Sequence, residues 1–466
     1  MVADNNYRRD GRAAVDPARL AACRLLYSVL EEGAYSNISA LAMLENTDLD
    51  SRDRAFATAA VYGTISWLAT IDWYISNISD KPINKLDPWI RTILRLGLWQ
   101  LTQAYNIPES AAVNESVKLV GALAHGGGAS YVNAVLRNWL RLKPEIPKRL
   151  EALKFGLPTW LYGLMKKWYG RDEAAALAEA YLTPQPWTTL RVNRREADYS
   201  ELLNGWQEDG LEASAGLYLP EALRLKLAGN NLRDLIAWQD GLVTAQDEAA
   251  MLVSVIAQPA PEMEILDMCA APGGKTTHLA ELSDDRAAIT ALDLKPHRVE
   301  LIKEQAERLN LRSITAIEAD ALTWSGDGRQ FDLVLADVPC SGLGLLGRKP
   351  ELRFNMSFES IQELIKLQRE ILLNAAKLVK AGGLLVYSTC TINPEENERQ
   401  IDWLLTDTEI GKQFSACGFE KLIPGSMKLT DPEIKIQVQK GRLQLLPHKH
   451  RTDGFFISKL IRKFEE

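Results

Sequence analysis

The chain has 466 residues, 46% of them apolar and 25% charged, and a net charge of −7. That length exceeds one ordinary domain, and that apolar share supports more than one packed core. No run of about 18 apolar residues excludes a membrane-spanning helix, and Met1-Val2-Ala3-Asp4-Asn5-Asn6 lacks the apolar stretch of a secretory leader.

Five cysteines, at 23, 269, 340, 390 and 417, do not make a disulfide scaffold in so long a chain. None has C-x-x-C spacing and the histidines are scattered, so no metal site is expected. A reducing cytoplasm is the expected location. The acidic total argues against a polyanion partner, but the charge is uneven. Residues 1–150 hold 17 Lys and Arg against 15 Asp and Glu, a net of +2, leaving −9 for the rest.

Residues 15–142 read as all helix. Ala14, Leu20, Leu25, Leu26 and Val29 have helical apolar spacing. Asp53–Gly63 reads as a second helix ending at glycine. Asp87 and Pro88 open another, as N-cap and first helical residue. Gly126-Gly127-Gly128 breaks the chain before a last helix through Tyr131–Leu136. Pro144 and Pro147 end the bundle, which sets a first domain at 1–148. Residues 149–238 form a small mixed connecting region, in which Trp187–Asn193 alternates like a strand.

From 239 to 466 the rhythm is strand, loop, helix. Strands are expected at 264–268, 288–292, 314–319, 331–336 and 384–388, and helices at 275–282, 296–309 and 357–380. Such alternation predicts a parallel sheet with helices on both faces, a Rossmann-like α/β domain. Ligands bind past the carboxyl ends of such strands. Asp293, Asp320, Asp337, Cys340 and Cys390 all fall there.

The loop Cys269-Ala270-Ala271-Pro272-Gly273-Gly274-Lys275 carries two glycines that let a ligand approach the backbone, and it opens a helix. It has neither G-x-G-x-x-G nor the P-loop pattern. Asp293 ends the next strand, where a carboxylate can accept both hydroxyls of a ribose. Asp320 can reach the base or amine of an adenosine cofactor.

Cys340 and Cys390 follow strands and precede turn-forming residues, whereas Cys23 and Cys417 read as small buried hydrophobes and Cys269 as packed under its loop. A thiolate is a strong nucleophile, and Lys275 is a cation able to favour it. Such a thiol suits methyl transfer to carbon 5 of cytosine. Thiolate addition to carbon 6 makes carbon 5 nucleophilic, and loss of the carbon 5 proton later expels the thiol. An acid such as Asp337 is expected to protonate ring nitrogen 3. Basic residues offer phosphate contacts: Arg137 and Arg141, Arg191 with Arg194 and Arg195, and Arg348 with Lys349 and Arg353.

Cys269–Lys275, Asp337-Val338-Pro339-Cys340-Ser341-Gly342, Ser388-Thr389-Cys390-Thr391 and Pro394-Glu395-Glu396-Asn397 closely resemble the Sun-type RNA cytosine-5 methyltransferases. Asp453-Gly454-Phe455-Phe456 is similar to that family's closing strand. Asp53–Gly63, Ile93-Leu94-Arg95-Leu96-Gly97 and Ala112-Val113-Asn114-Glu115 resemble the helical NusB-type RNA-binding domain. Val338 and Leu343 depart from the usual residues, and 424–445 is the least family-like segment.

The resemblance implies S-adenosylmethionine as cofactor, bound by Cys269–Lys275, Asp293, Asp320 and Asp337. It implies that Cys390 attacks cytosine and that Cys340 helps release the product. It also implies ribosomal RNA of the small subunit as substrate; a monomer is expected. Other readings are a non-catalytic RNA-binding or assembly factor, a cytosine-5 enzyme for another RNA or for DNA, and a nicotinamide-dependent oxidoreductase. The intact cysteine pair opposes the first; the absence of G-x-G-x-x-G opposes the last.

Overall fold

The computed structural model describes residues 15–33, 49–124, 127–183, 186–227 and 231–464. Ala14 and Gly126 lie outside them. The chain divides into two compact units. One runs to Leu164 and includes Lys349–Glu351; the other holds Met165–Arg348 and Leu352 onwards.

The first unit is helical among its described residues, with helices Pro17–Glu31, Ser51–Ser66, Leu68–Ile78, Pro88–Thr102, Glu109–Leu123 and Gly128–Leu142. Asp16, Asp50 and Asp87 each cap a helix by accepting a backbone N–H, and Pro88 follows its cap. Helix Pro88–Thr102 is central. It buries Ile93, Leu94, Leu96, Leu98 and even Arg95, whose guanidinium pairs with Asp72 at 2.8 Å and Glu31 at 3.1 Å.

The second helix does not stop at Gly63 but continues to Ser66. A Cβ at Gly63 would stand 2.2 Å from Trp99 Nε1, so this glycine serves packing rather than termination. The unit also runs past Pro144 and Pro147. Thr70 Oγ1 donates to Leu153 O, which fastens the 3-10 segment Lys148–Phe155 to the bundle.

In the second unit, strands β1 (Thr188–Val192), β2 (Ala213–Ala215), β3 (Ala222–Leu225) and β4 (Val243–Ala245) form an antiparallel sheet in the order β2-β3-β1-β4. A larger sheet follows, with β5 (Glu264–Asp267), β6 (Ala288–Asp293), β7 (Ile314–Glu318), β8 (Phe331–Asp337), β9 (Val379–Thr389), β10 (Phe414–Ala416), β11 (Arg442–Leu445) and β12 (Phe455–Arg462). Its order is β10-β12-β9-β8-β5-β6-β7, with β11 on β12.

The five strands β5 to β9 are parallel, and all but the edge strand β7 are largely buried, which is why they read as apolar runs. The sheet as a whole is mixed rather than parallel, because β12 lies antiparallel to β9 and carries β10 and β11 antiparallel to itself. The long helix, expected over 357–380, is Phe358–Leu378; Val379 and Lys380 already belong to β9. Strand order reverses between β5 and β8, so the loops after these two strands flank a crevice at the carboxyl edge.

Candidate active site

The loop after β5 is anchored from beneath. Met268 N donates to Leu335 O (3.0 Å), Ala270 N to Leu292 O (2.8 Å) and Gly273 N to Ala270 O (2.8 Å). Gly273 has φ +105°, a conformation open to glycine, and caps helix Gly274–Leu282. A Cβ at Gly274 would meet nothing nearer than Gln246 Nε2, at 3.9 Å. That nitrogen is buried and has no hydrogen-bond partner. A glycine cradle beside an unpaired donor fits a polar small molecule laid along the loop.

The acids stand where expected. Asp293 closes β6, accepts from Lys295 N (3.1 Å) and faces Arg298 Nη1 at 3.4 Å; Arg298 Nη2 also donates to Ala271 O (3.1 Å). Asp320 follows β7 and caps its own turn by accepting from Leu322 N (2.9 Å). Asp267, at the end of β5, is fully buried and accepts from Thr276 Oγ1 (2.7 Å). Burial, with the nearby Asp337 charge, pushes its carboxyl up to about 7.

Asp337 and Ser388 are register partners on β8 and β9. Asp337 accepts from Ser388 Oγ (2.6 Å) and from Lys275 Nζ (2.7 Å). Burial opposes the Lys275 charge, but Asp337 outweighs it and holds the ammonium above its ordinary value. The lysine also lies 5.0 Å over the Phe455 ring. Both partners of Asp337 donate to it. It therefore stands as an acceptor toward these two groups.

Cys340 and Cys390 meet with their sulfurs 3.3 Å apart and are not joined in a disulfide. The hydrogen bond to Cys390, followed by burial, holds the Cys340 thiol well above its ordinary value. Cys269 is likewise pushed up by burial and has no comparable partner. Cys23 is buried as expected, whereas Cys417 is half-buried.

Several supporting residues were not singled out from sequence. Tyr169 OH donates to Ile392 O, and Tyr181 OH to Leu343 O (2.7 Å), so two tyrosines brace both cysteine loops. Glu396, quoted only as part of a motif, is fully buried and accepts from Ser341, Gln368 and Asn393. A tyrosine in an amphipathic helix carries no signal of such a role. The buried glutamate was findable only through its motif.

The basic residues divide. Arg191 is not a phosphate contact: it is fully buried on β1. It pairs with Glu281 at 2.6 Å and donates to Thr277 Oγ1 (3.0 Å), Gln246 Oε1 and Gly274 O (2.7 Å). Arg353 is buried too, on the carbonyls of Tyr181 and Leu346. Arg348 is held by Asp247 and Asp453, each at 2.8 Å, so its charge is already matched. Lys349 is half-buried, and Arg194 is exposed. In the first unit Arg137 and Arg141 are exposed and line a groove with Ile78, Tyr131, Val135 and Asn138.

Among the described residues no group of His, Cys, Asp and Glu could hold a metal ion, and no helix is long and apolar enough to cross a membrane.

Comparison with known proteins agrees with this layout. Residues 16–141 match the NusB family, 157–230 the RsmF/B-like ferredoxin-like methyltransferase domain, and 254–461 the 16S rRNA methyltransferase RsmB/F family. The probable ribosomal RNA small subunit methyltransferase B of Bacillus subtilis is 36% identical, covering 95% of this chain and 98% of the relative. The chain belongs to the ribosomal RNA small subunit methyltransferase B family.

The Synechocystis member is 38% identical, over 95% of this chain and 99% of its own length. Among solved structures, PH0851 superposes with a TM-score of 0.82 at 28% identity, covering 96% of this chain and all of that one. NSun6 from Pyrococcus horikoshii with SFG gives 0.56 at 24% identity, over 66% of this chain and 99% of its own. Membership makes the helices within 16–141 a NusB-like domain, β1 to β3 part of a ferredoxin-like domain, and the large sheet a Rossmann-like methyltransferase domain of an rRNA-methylating family.

Proposed function

We propose that this protein transfers a methyl group from S-adenosylmethionine to carbon 5 of a cytosine in 16S ribosomal RNA, through a covalent bond between Cys390 and carbon 6. The observation that carries the reading is the pair of cysteine sulfurs, 3.3 Å apart without a disulfide, at the crevice edge beside the Lys275–Asp337 ion pair. Membership of a 16S rRNA methyltransferase family supports the reaction class.

The loop Cys269–Lys275 with Asp293, Asp320 and Asp337 would hold the cofactor, which supplies an electrophilic methyl group when bound. The solved relative crystallised with SFG supports a cofactor of this type. Asp293 would take the ribose hydroxyls, in a position that Arg298 fixes.

The thiolate of Cys390 adds to carbon 6, and the ring electrons move toward carbon 5 and the carbonyl. The Lys275 ammonium stabilises the negative charge that develops. Carbon 5 then takes the methyl group. Once Cys390 is a thioether, the hydrogen bond that held the Cys340 proton in place is lost. Cys340 releases that proton to solvent and takes the carbon 5 proton. The freed electron pair forms the 5,6 double bond and expels Cys390 as thiolate. One proton is released overall, and the thiol pair returns to its starting state.

The test is a denaturing gel of each variant with 16S rRNA and S-adenosylmethionine. Cys390→Ala should give no covalent complex, whereas Cys340→Ala should accumulate a methylated, denaturant-resistant one. A band from Cys390→Ala and none from Cys340→Ala would reverse the assignment. Bisulfite sequencing that finds no new protected cytosine would remove carbon 5 as the target.

A further inference from the structure

Glu396 takes no part in the steps above, yet its carboxylate is wholly buried behind both cysteine loops. Oε1 accepts from Ser341 N (2.8 Å) and Gln368 Nε2 (3.0 Å). Oε2 accepts from Ser341 Oγ (2.6 Å) and Asn393 Nδ2 (2.9 Å). Three of these partners are N–H groups that can only donate, a set that an ionised carboxylate satisfies.

Two of the anion's four bonds come from the Cys340 loop, both from Ser341, the next residue. Gln368 also donates to Pro339 O (2.9 Å), the residue before Cys340. The Cys390 loop joins through Asn393 and through Thr391 Oγ1, 2.8 Å from Ser341 Oγ. At the crevice edge stands the opposite charge, Lys275, whose partner Asp337 is bonded to Ser388, two residues before Cys390.

We infer that Glu396 selects the nucleophile: its fixed negative charge behind the Cys340 loop, opposed by the Lys275 ammonium at the crevice edge, keeps the shared proton on Cys340 and leaves Cys390 as the thiolate. The inference rests on the reaction proposed above. Once one of two chemically identical thiols 3.3 Å apart ionises, the proton that remains can sit on either sulfur, and an asymmetric field decides which one keeps it. The Glu396 charge adds to the Cys390 hydrogen bond and burial in holding the Cys340 thiol protonated. The charge on Cys390 acts in turn on Lys275. Of the other charged groups here, Asp337 pairs with Lys275 and offsets part of that ammonium's field, and Asp267 lies beneath the loop on Thr276. Glu396 is thus a positioning residue acting through Cys340.

The experiment is alkylation of the folded protein by iodoacetamide without RNA, with the rate at each cysteine read by peptide mass spectrometry. In the wild type Cys390 should react at least about tenfold faster than Cys340. Glu396→Gln keeps the side chain's size and removes its charge. The ratio should fall about tenfold, equivalent to one pKa unit, through faster reaction at Cys340. Glu396→Asp keeps the charge and should restore most of the ratio. Lys275→Gln should also lower the ratio, but through slower reaction at Cys390. If Glu396→Gln fails to fold, the Lys275→Gln and Glu396→Asp arms decide. Thermal unfolding of every variant separates lost structure from lost selectivity. Faster alkylation of Cys340 in the wild type would overturn the assignment of attack to Cys390, and this inference with it. An unchanged ratio across the charge-removing variants would leave that assignment standing and remove the role of Glu396.

Discussion

Replacing Arg191 by methionine should destabilise the second unit and weaken cofactor binding, with RNA contacts intact. The guanidinium is fully buried, and its partner Glu281 keeps only 7% exposure. Removing one member of such a pair strands the other charge, at a cost of about 3–5 kcal/mol. Urea unfolding of the folded protein, followed at equilibrium, measures that loss. The carbonyl of Gly274 also loses its 2.7 Å donor at the glycine cradle, so cofactor affinity should fall several-fold, about 1 kcal/mol by calorimetry. The double variant Arg191→Met with Glu281→Leu should recover most of the stability, because no charge is stranded. It should not recover the affinity, because Gly274 O keeps only the longer bond from Thr277 Oγ1 at 3.2 Å as a side-chain contact. A stable Arg191→Met protein whose RNA binding has become less salt-dependent would refute the argument and return Arg191 to the RNA surface.

Asp267 should make stability fall as pH rises from about 4 to about 7. Its ordinary value is 3.8 and burial lifts it to about 7. In that window the folded chain holds a proton that the unfolded chain has released, a contribution of up to about 4 kcal/mol, and Asp267→Asn should flatten the dependence measured by denaturant unfolding at each pH. Gly63→Ala should cost about 1–3 kcal/mol, since the added methyl must displace the Trp99 indole; calorimetric unfolding of wild type and variant reads the difference. Arg137→Gln and Arg141→Gln should each lower the slope of log affinity for 16S rRNA against log salt by about 0.7–0.9, because both guanidinium groups are exposed beside a groove. An unchanged slope would make that face an ordinary surface.

Much of the catalytic half was legible because a parallel strand buried on both faces is a short apolar run, and its end is marked by the first polar residue. Asp267, Asp293 and Asp337 each occupy the last position of a strand, where the apolar run stops. What could not be read is which polar residues turn inward. Arg191 sits between apolar neighbours on β1, and its sequence context equals that of a surface arginine; only Glu281, 90 residues away, shows otherwise. Gly63 misled for a related reason. A glycine late in a helical pattern signals a stop, unless a large side chain from another helix needs its space. The antiparallel strand β12 was visible as a strand, but its direction depends on pairing with β9 and leaves no local trace.

The same limit explains why the two cysteines had to be matched by motif rather than by distance. They are separated by 50 positions, so proximity was not implied by sequence. It follows from topology. β8 and β9 are parallel neighbours, joined through the helix Phe358–Leu378, and a connection of this kind returns the chain to the sheet in the same direction. Neighbouring strands lie about 4.8 Å apart, so residues leaving the same edge emerge within side-chain reach. Asp337 opposite Ser388 sets the register, and Cys340, three residues past β8, meets Cys390, one residue past β9. Had another strand been inserted between β8 and β9, the same motifs would stand roughly 10 Å apart and the thiols could share no proton. Strand adjacency, held by the register and braced by Glu396, is therefore what brings the two sulfurs within hydrogen-bond reach.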